Sequence, residues 1–327
     1  MLNNKKLKDK LLYLLKIIIS LSLLIYLLSK IEWEKSLSTI QNANFFWLGL
    51  AVILSIFDNI LLTYKWNLLL KVRGKIVSFW RLFSINMIGG FWGLFLPSSL
   101  STDVVRGYYL IKTSSDKAIS VTSIFVDRLF ALLGLIVFVS IALFFSGDIF
   151  KDLYLETYLI IFLILIVIGF IIFNSNYFSN VLNLLDEKLG KKKLFGKVIK
   201  LRIALIEYIK YPLTLTYSFF LSLIVQLFRV FWYIIIAWAF NVNIPLVYYF
   251  IFCPLIIVVL MIPVSIGGLG VREGTFVTFF TMAGMSLDEA VIISFTSSLI
   301  TNIIVASGGL FYLFYKSELK LNSSAVN

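Results

Sequence analysis

The sequence contains no histidine and only one cysteine, Cys253, which lies inside an apolar run. Without histidine the chain lacks the imidazole acid or base of a Ser-His triad and the commonest protein metal ligand. A single cysteine allows neither an internal disulfide framework nor a cysteine-based metal site. We therefore expect no metal, no cofactor and no catalytic residue of these kinds.

Charged residues are also scarce. They make up 14% of the 327 residues, whereas a typical soluble domain carries about 25%. Hydrophobic residues make up 60% of the chain, and the mean hydropathy is +0.98. A soluble core cannot bury this surplus, so lipid must solvate most of it. The composition predicts an all-α polytopic integral membrane protein.

The net charge of +12 is compatible with two kinds of partner, a nucleic acid or a membrane surface. The basic residues lie in short segments between apolar runs, which is the pattern of the positive-inside rule. We therefore expect no nucleic-acid partner. The same rule predicts cytoplasmic amino and carboxyl termini and a basic cytoplasmic loop at about 174–212. We expect the protein to be located in the plasma (cytoplasmic) membrane.

Two of the apolar stretches, 82–111 and 246–285, are interrupted by Gly, Pro, Ser and charged residues. All the basic segments can lie on the cytoplasmic side if each of these stretches enters and leaves the membrane on the same side, as a re-entrant hairpin. An alternative is eight full spans, with these stretches crossing the membrane. We expect the first apolar run to be a retained span, because no signal-peptide cleavage site follows it. The predicted fold therefore has two re-entrant hairpins and six full spans, at 11–29, 46–70, 118–145, 157–173, 213–240 and 287–315.

The two interrupted stretches resemble each other. In each, an Arg follows a Pro by nine residues, and a Ser follows the same Pro by two. The matching positions are Pro97, Ser99 and Arg106 in the first stretch, and Pro263, Ser265 and Arg272 in the second. An inverted repeat with interrupted segments in matching positions is typical of transporters. We expect one transmembrane domain, 1–327, with halves at about 1–146 and 153–316.

Irregular backbone at membrane depth needs protein or a polar cavity to satisfy its hydrogen bonds. The expected breaks, which should line such a cavity, are Pro97, Ser99, Pro263, Ser265, Gly267, Gly268 and Gly270. Beyond each break, Arg106 or Arg272 comes near the start of a new helix, where a guanidinium and a helix dipole suit a phosphate. Alternatively, these arginines snorkel to the interface or pair with Asp103 and Glu273.

Ionisable residues inside the predicted spans are a second signal. Asp127 and Arg128 lie about 10 residues into one span, and Asp58 and Arg229 lie within two others. A charge at such depth costs about 2.5–3.5 kcal/mol on the lenient scale, so it must face protein, water or ligand. We expect Asp58, Asp103, Asp127, Arg128, Arg229 and Glu273 to shape or gate the cavity. A structural ion pair is the alternative for Asp127, and we expect Lys65 to snorkel to the cytoplasmic face.

These motifs resemble those of the lysylphosphatidylglycerol synthase transmembrane-region family, also described as flippase-like. The resemblance covers nearly the whole chain, and its most specific part is Gly-Gly-Leu-Gly-Val-Arg-Glu-Gly at 267–274. Further matches surround Arg106 and Asp127, whereas Ser101-Thr102 stand where the family often has Gly-Gly. In multiple peptide resistance factors the resemblance implies a flippase region joined to a cytosolic aminoacyl-transferase domain. The sequence ends at Asn327 without such a domain, so we do not expect this chain alone to synthesise lysyl-lipid.

We expect a lipid flippase or transporter rather than an enzyme, with a phospholipid or polyprenyl-phosphate lipid bound between the two halves. The first alternative is a membrane-embedded transferase or accessory subunit in polyprenyl-phosphate-linked sugar or aminoacyl-lipid metabolism, with Asp103 or Asp127 as the base. The second is a scaffold for a separate lipid-modifying enzyme. A homo-oligomer remains open as well.

Overall fold

The computed structural model describes residues 2–74, 76–96, 101–114, 117–146, 157, 161, 164, 168, 202, 203 and 205–314. Within these residues the chain forms helices and no strands. The helices are α1 (Leu2–Leu28), α2 (Trp33–Gln41), α3 (Phe45–Val72), α4 (Phe79–Gly93), α5 (Ser101–Ser114), α6 (Lys117–Ser146), α7 (Pro212–Ala239), α8 (Leu246–Leu260), α9 (Val271–Met282) and α10 (Leu287–Ala306).

Four helical stretches of the described chain are long and apolar enough to cross a membrane. They are Phe45–Val72, Ile119–Phe145, Pro212–Ala239 and Leu287–Phe314. Helices form there because lipid offers no partner for a backbone N–H or C=O, and a helix satisfies these groups internally. The sequence-based spans at 46–70, 118–145, 213–240 and 287–315 are confirmed as candidate spans.

The remaining two predicted spans have different outcomes. The first, at 11–29, lies in α1, whose apolar part is Tyr13–Leu28 and falls among the shorter apolar helices. The predicted span at 157–173 lies outside the described residues except for four isolated positions. Most of the basic loop at 174–212 also lies outside them.

Four short helices occupy the two interrupted stretches. Helices α4 and α5 have 15 and 14 residues, and α8 and α9 have 15 and 12. At 1.5 Å per residue each is roughly 18–22 Å long, which is less than the ~30 Å hydrocarbon core. The expected break at Pro97 and Ser99 falls between α4 and α5 but lies outside the described residues, whereas Pro263–Gly270 lies between α8 and α9.

The chain divides into two compact units, of which unit 1 comprises Met1–Thr63, Phe79–Tyr109 and Val225–Asn327. In unit 1, α9 packs against α8, α10 and α1, while α10 also packs against α2 and α4. Aromatic rings fill the space around α9. The Phe276 ring centroid lies 4.2 Å from that of Phe280, which lies 4.9 Å from the ring centroid of Tyr249 in α8. This packing holds α9 against α8.

Unit 2 comprises Tyr64–Ser78 and Leu110–Ile224. Its core includes Leu69, Val126 and Tyr208, so the end of α3, the first part of α6 and the segment before α7 meet there. Helices α6 and α7 approach closely where Gly134 faces Ser222. Small residues at a helix contact let backbones come close in a membrane, which helps hydroxyl side chains reach the neighbouring helix.

Candidate functional site

The loop between α8 and α9 is the most irregular backbone that the structure describes in unit 1. Gly267 and Gly270 have φ of 58° and 77°, a region that L-residues with a side chain disfavour. The Gly267 N–H donates to the Leu96 carbonyl at 3.4 Å, and the Ile266 N–H donates to Ser20 Oγ at 3.3 Å. The loop is therefore covered by α1 and by the end of the segment after α4.

Gly270 is the point of closest approach between this loop and α1. A Cβ at Gly270 would lie 2.7 Å from the Ser20 carbonyl oxygen and 2.9 Å from Leu23 Cβ. Only a glycine satisfies both the positive φ and the available space. Of the other predicted break residues, Ser265 is buried, Pro263 is exposed, and Gly268 also has a positive φ, of 80°.

Glu273, in the first turn of α9, is buried, with 1% of its surface exposed. One carboxylate oxygen accepts a hydrogen bond from the Gly270 N–H at 2.6 Å, and the other accepts one from the Ser298 hydroxyl of α10. A carboxylate at a helix N-terminus is stabilised by the free N–H groups and the helix dipole. Glu273 thus holds the loop, α9 and α10 together.

Arg272 precedes Glu273 and is half-buried. Its backbone N–H donates to the Gly268 carbonyl at 2.9 Å, and one guanidinium nitrogen lies over Gly268. Within the described part of the chain, the guanidinium forms no ion pair, and the expected alternative of pairing with Glu273 is not found. The Tyr233 ring of α7 stacks on Phe276, which lies one turn after Arg272 in α9, with the ring centroids 5.3 Å apart.

Arg106, the matching residue of the first stretch, has a different environment. It is 4% exposed and forms an ion pair with Asp103, one turn earlier in α5, at 3.2 Å. Its side chain packs against Gly89 of α4, where a Cβ would lie 2.7 Å from Arg106 Cγ. The alternative expected for this arginine, pairing with a neighbouring carboxylate, is the one that the structure shows.

Asp58 and Arg229 join α3 to α7 in unit 1. Arg229 Nε and Nη2 donate to the two Asp58 carboxylate oxygens, each at 3.2 Å. The side chains are partly exposed, at 19% for Asp58 and 30% for Arg229. Such a two-pronged contact is among the stronger ion-pair geometries. Asp58 and Arg229, which the sequence placed in two separate apolar runs, are therefore ion-pair partners.

Asp127 belongs to unit 2 and forms an ion pair with Lys65. Lys65 Nζ lies 3.0 Å from an Asp127 carboxylate oxygen and donates to Ser222 Oγ at 3.1 Å. Lys65 is 1% exposed, so the expectation that it snorkels to the cytoplasmic face is wrong. It turns inward because an acidic partner and a hydroxyl lie within its reach. Arg128, the next residue of α6, is half-buried.

Several functional candidates were not among the sequence-based choices. Ser298, Ser222 and Tyr233 contribute through contacts between distant parts of the chain, and a serine or tyrosine within an apolar run gives no signal of its partner. The depth of Lys65 could have indicated that its side chain turns inward, since it lies seven residues before the end of α3 at Val72. At 1.5 Å per residue that is about 10 Å along the helix, at the limit of a lysine's reach to the interface.

The pattern described as "Lysylphosphatidylglycerol synthase TM region" matches residues 13–309. The chain belongs to this family. The match includes the Gly267–Gly270 loop, both arginines and the Asp58, Asp127 and Arg229 positions. Members of the lysylphosphatidylglycerol synthase TM region family are membrane proteins of lipid metabolism or transport, and this chain is one of them. Neither a curated protein nor a solved structure matches it.

Proposed function

We propose that the chain is a flippase that moves a phosphate-bearing lipid between the leaflets. The observation that carries the proposal is the state of Arg272. It is a half-buried guanidinium beside the first turn of α9, without an ion-pair partner among the described residues, while the adjacent Glu273 is held by Gly270 and Ser298. A guanidinium next to a helix N-terminus suits a phosphate, because both attract its negative charge and both donate hydrogen bonds.

The helix order supports two repeats in this flippase. Helices α7, α8, α9 and α10 begin 167, 167, 170 and 170 residues after α3, α4, α5 and α6, respectively. Each series therefore runs long, short, short, long. The short pairs α4–α5 and α8–α9 are the proposed re-entrant hairpins, the first opening to the cytoplasm and the second to the outside. With the basic segments placed inside, the two series have opposite orientations, as in transporters with inverted repeats.

The proposed roles of the two arginines differ in this conformation. The Arg272 guanidinium is available to bind a phosphate, whereas the Arg106 guanidinium already forms an ion pair with the Asp103 carboxylate. A lipid phosphate that displaces Asp103 would engage Arg106 by the same guanidinium geometry. The two arginines would thus hold the headgroup alternately from the two leaflets. Glu273 positions the Arg272 loop, and the Asp58–Arg229 pair gates the headgroup path.

The remaining assignments follow from the same proposal. The protein would lie in the plasma membrane with both termini cytoplasmic, in accordance with the distribution of Lys and Arg. The lipid is a phospholipid or a polyprenyl phosphate, since the proposed site selects the phosphate that both contain.

Reconstitution in proteoliposomes tests this function. Fluorescently labelled phospholipids and polyprenyl phosphates are followed as they cross the bilayer, for the native chain, Arg106→Ala and Arg272→Ala. A guanidinium–phosphate contact is worth about 1.5–3 kcal/mol, so each variant should move lipid roughly 10- to 100-fold more slowly at low lipid content. Lys71→Ala, which removes an exposed charge at the end of α3, serves as the control and should move lipid at the native rate.

Failure of the native chain to move any of these lipids would contradict the flippase proposal. It would direct attention to a transferase or accessory role, for which incorporation of labelled sugar or amino acid into lipid by the purified chain is the measurement.

A further inference from the structure

Lys65, Asp127 and Ser222 form a buried polar cluster in unit 2 that the phosphate-binding proposal does not explain. The three residues come from α3, α6 and α7, respectively. Lys65 Nζ contacts Asp127 at 3.0 Å and Ser222 Oγ at 3.1 Å. The Ser222 hydroxyl donates onward to the Ser218 carbonyl at 2.9 Å, so its oxygen is the acceptor for Lys65.

The cluster lies at one level of the three helices. Lys65 is seven residues before the end of α3, and Asp127 and Ser222 are each ten residues after the start of α6 and α7. At 1.5 Å per residue these positions are about 10–15 Å from helix ends that the basic flanking segments assign to the cytoplasmic side. The cluster is therefore inside the hydrocarbon region but within reach of the cytoplasm.

Stability does not account for a lysine–aspartate pair at this depth. Desolvating two charges costs several kcal/mol per ion, and replacing a buried pair with apolar residues is often neutral or stabilising. Ionisable residues inside spanning segments commonly serve proton or ion pathways. The Asp58–Arg229 pair differs in two respects, because both of its side chains are partly exposed and the arginine holds both carboxylate oxygens.

We propose that the Lys65–Asp127 pair is a proton-binding site that couples lipid movement to the proton gradient. A proton from the cytoplasmic side adds to an Asp127 carboxylate oxygen and forms an O–H bond, while Lys65 keeps its own proton. The pair then changes from zero net charge to one positive charge, and the attraction between α3 and α6 is lost. This inference rests on the proposed flippase function for its coupling, but the proton site itself does not depend on lipid movement.

The surroundings of the pair determine when Asp127 takes up the proton. From α3 the facing charge is Lys65, and from α7 the facing group is the uncharged Ser222. The Trp66 indole N–H, next to Lys65, donates to Ser123 Oγ at 3.1 Å and ties α3 to α6 independently of the charges. Other described side chains on these helices and on the segment before α7 are also charged or titratable: Asp58, Tyr64, Lys71, Arg73, Arg128, Arg202, Glu207, Tyr208, Lys210, Tyr211, Tyr217, Arg229 and Tyr233.

An ion pair between Arg73 and Glu207 lies toward the end of α3, beyond the Leu69 turn. The Tyr208 hydroxyl donates to the Leu69 carbonyl at 3.1 Å. These contacts hold the segment before α7 against α3 whether or not Asp127 is protonated. Protonation is therefore expected to loosen the Lys65–Asp127 contact without separating the ends of the helices.

The first measurement is an infrared difference spectrum of the purified chain in lipid nanodiscs, recorded between alkaline and acidic buffer. The native chain should show a protonated-carboxyl band that Asp127→Asn removes. Glu34→Gln, which alters an exposed carboxyl on α2, should leave that band in place. Absence of any band that depends on Asp127 would overturn the proton site.

The second measurement follows labelled phospholipid in proteoliposomes with an imposed pH gradient. Coupling of one proton to one lipid predicts a steady-state ratio between leaflets that changes up to about tenfold per pH unit. The double variant Lys65→Met/Asp127→Leu removes both charges, so it should fold with a native-like thermal midpoint and lose this dependence. If the double variant keeps the dependence, the pair is structural and the inference fails.

The two measurements separate this inference from the flippase proposal. An Asp127-dependent band in a chain that moves no lipid would contradict the flippase and leave the proton site in place. Lipid movement that ignores the gradient, in a chain without the band, would contradict the proton site and leave the flippase in place.

Discussion

Gly270→Ala should destabilise the protein because two separate effects act at this position. The first is the backbone conformation, with φ of 77° and ψ of −44°, which costs about 1–3 kcal/mol for a residue with a Cβ. The second is crowding, since the new methyl group would lie 2.7 Å from the Ser20 carbonyl oxygen and 2.9 Å from Leu23 Cβ. Overpacking of this kind costs about 1–3 kcal/mol. Together they predict a loss of roughly 2–6 kcal/mol.

Two other glycines separate these effects. Gly284 has a φ of 92°, and a Cβ there would meet nothing within 4 Å, so Gly284→Ala should cost only the backbone part, about 1–2 kcal/mol. Gly49 lies in α3 with no atom within 4 Å of a Cβ and no positive φ. Gly49→Ala should therefore be neutral or stabilising by up to about 1 kcal/mol.

The assay is unfolding in mixed micelles, with helicity followed as denaturing detergent is added. The expected order of unfolding free energy is Gly49→Ala, Gly284→Ala and Gly270→Ala, from the highest to the lowest. Equal losses for Gly284→Ala and Gly270→Ala would mean that α1 does not lie against the loop before α9, contrary to the structure.

Three further predictions concern stability. Arg229→Lys replaces two hydrogen bonds to Asp58 with one and should lower the unfolding free energy by about 1 kcal/mol. Arg229→Leu leaves the Asp58 carboxylate without this partner and should lower the unfolding free energy by about 3–5 kcal/mol. Burial raises the pKa of the Tyr208 hydroxyl in the folded protein. The contribution of Tyr208 to stability is therefore complete below pH ~10, the pKa in the unfolded chain, and declines as the pH rises above it. When the unfolding free energy is measured over a pH series, Tyr208→Phe should lack that part of the decline. A Cβ at Gly308 would overlap the Met87 carbonyl oxygen, while one at Gly274 meets nothing, so thermal unfolding should show Gly308→Ala less stable than Gly274→Ala.

Much of the helix pattern could be predicted from the sequence because apolar runs in lipid have few alternatives to helix. The runs at 46–70 and 213–240 differ by only a few residues from Phe45–Val72 and Pro212–Ala239. The interrupted stretches could be recognised from Gly, Pro and the paired arginines. Their division into short helices depended on where the backbone is irregular, and the glycines between Ile266 and Val271 marked that place correctly.

The partners of the charged residues could not be predicted in the same way. Asp58 and Arg229 are 171 residues apart in the chain, and Lys65 and Ser222 are 157 apart. Hydropathy gives the depth of each residue but not the rotation of its helix, so it cannot tell which charges face each other. The two arginines chosen as equivalents also proved unequal, because Asp103 lies one turn from Arg106 while Glu273 bonds to Gly270 and Ser298.

The phosphate-binding role of Arg272 is tested by comparing a phosphate-bearing lipid with a neutral one in proteoliposomes. The proteins compared are the native chain, Arg272→Ala, Arg272→Lys and the control Lys71→Ala. Labelled phosphatidylglycerol and the matching diacylglycerol differ in the headgroup that Arg272 is proposed to hold. We expect Arg272→Ala to slow protein-dependent movement of phosphatidylglycerol greatly and Arg272→Lys to slow it less. Neither variant should change movement of diacylglycerol. Native rates of phosphatidylglycerol movement in Arg272→Ala would contradict this role.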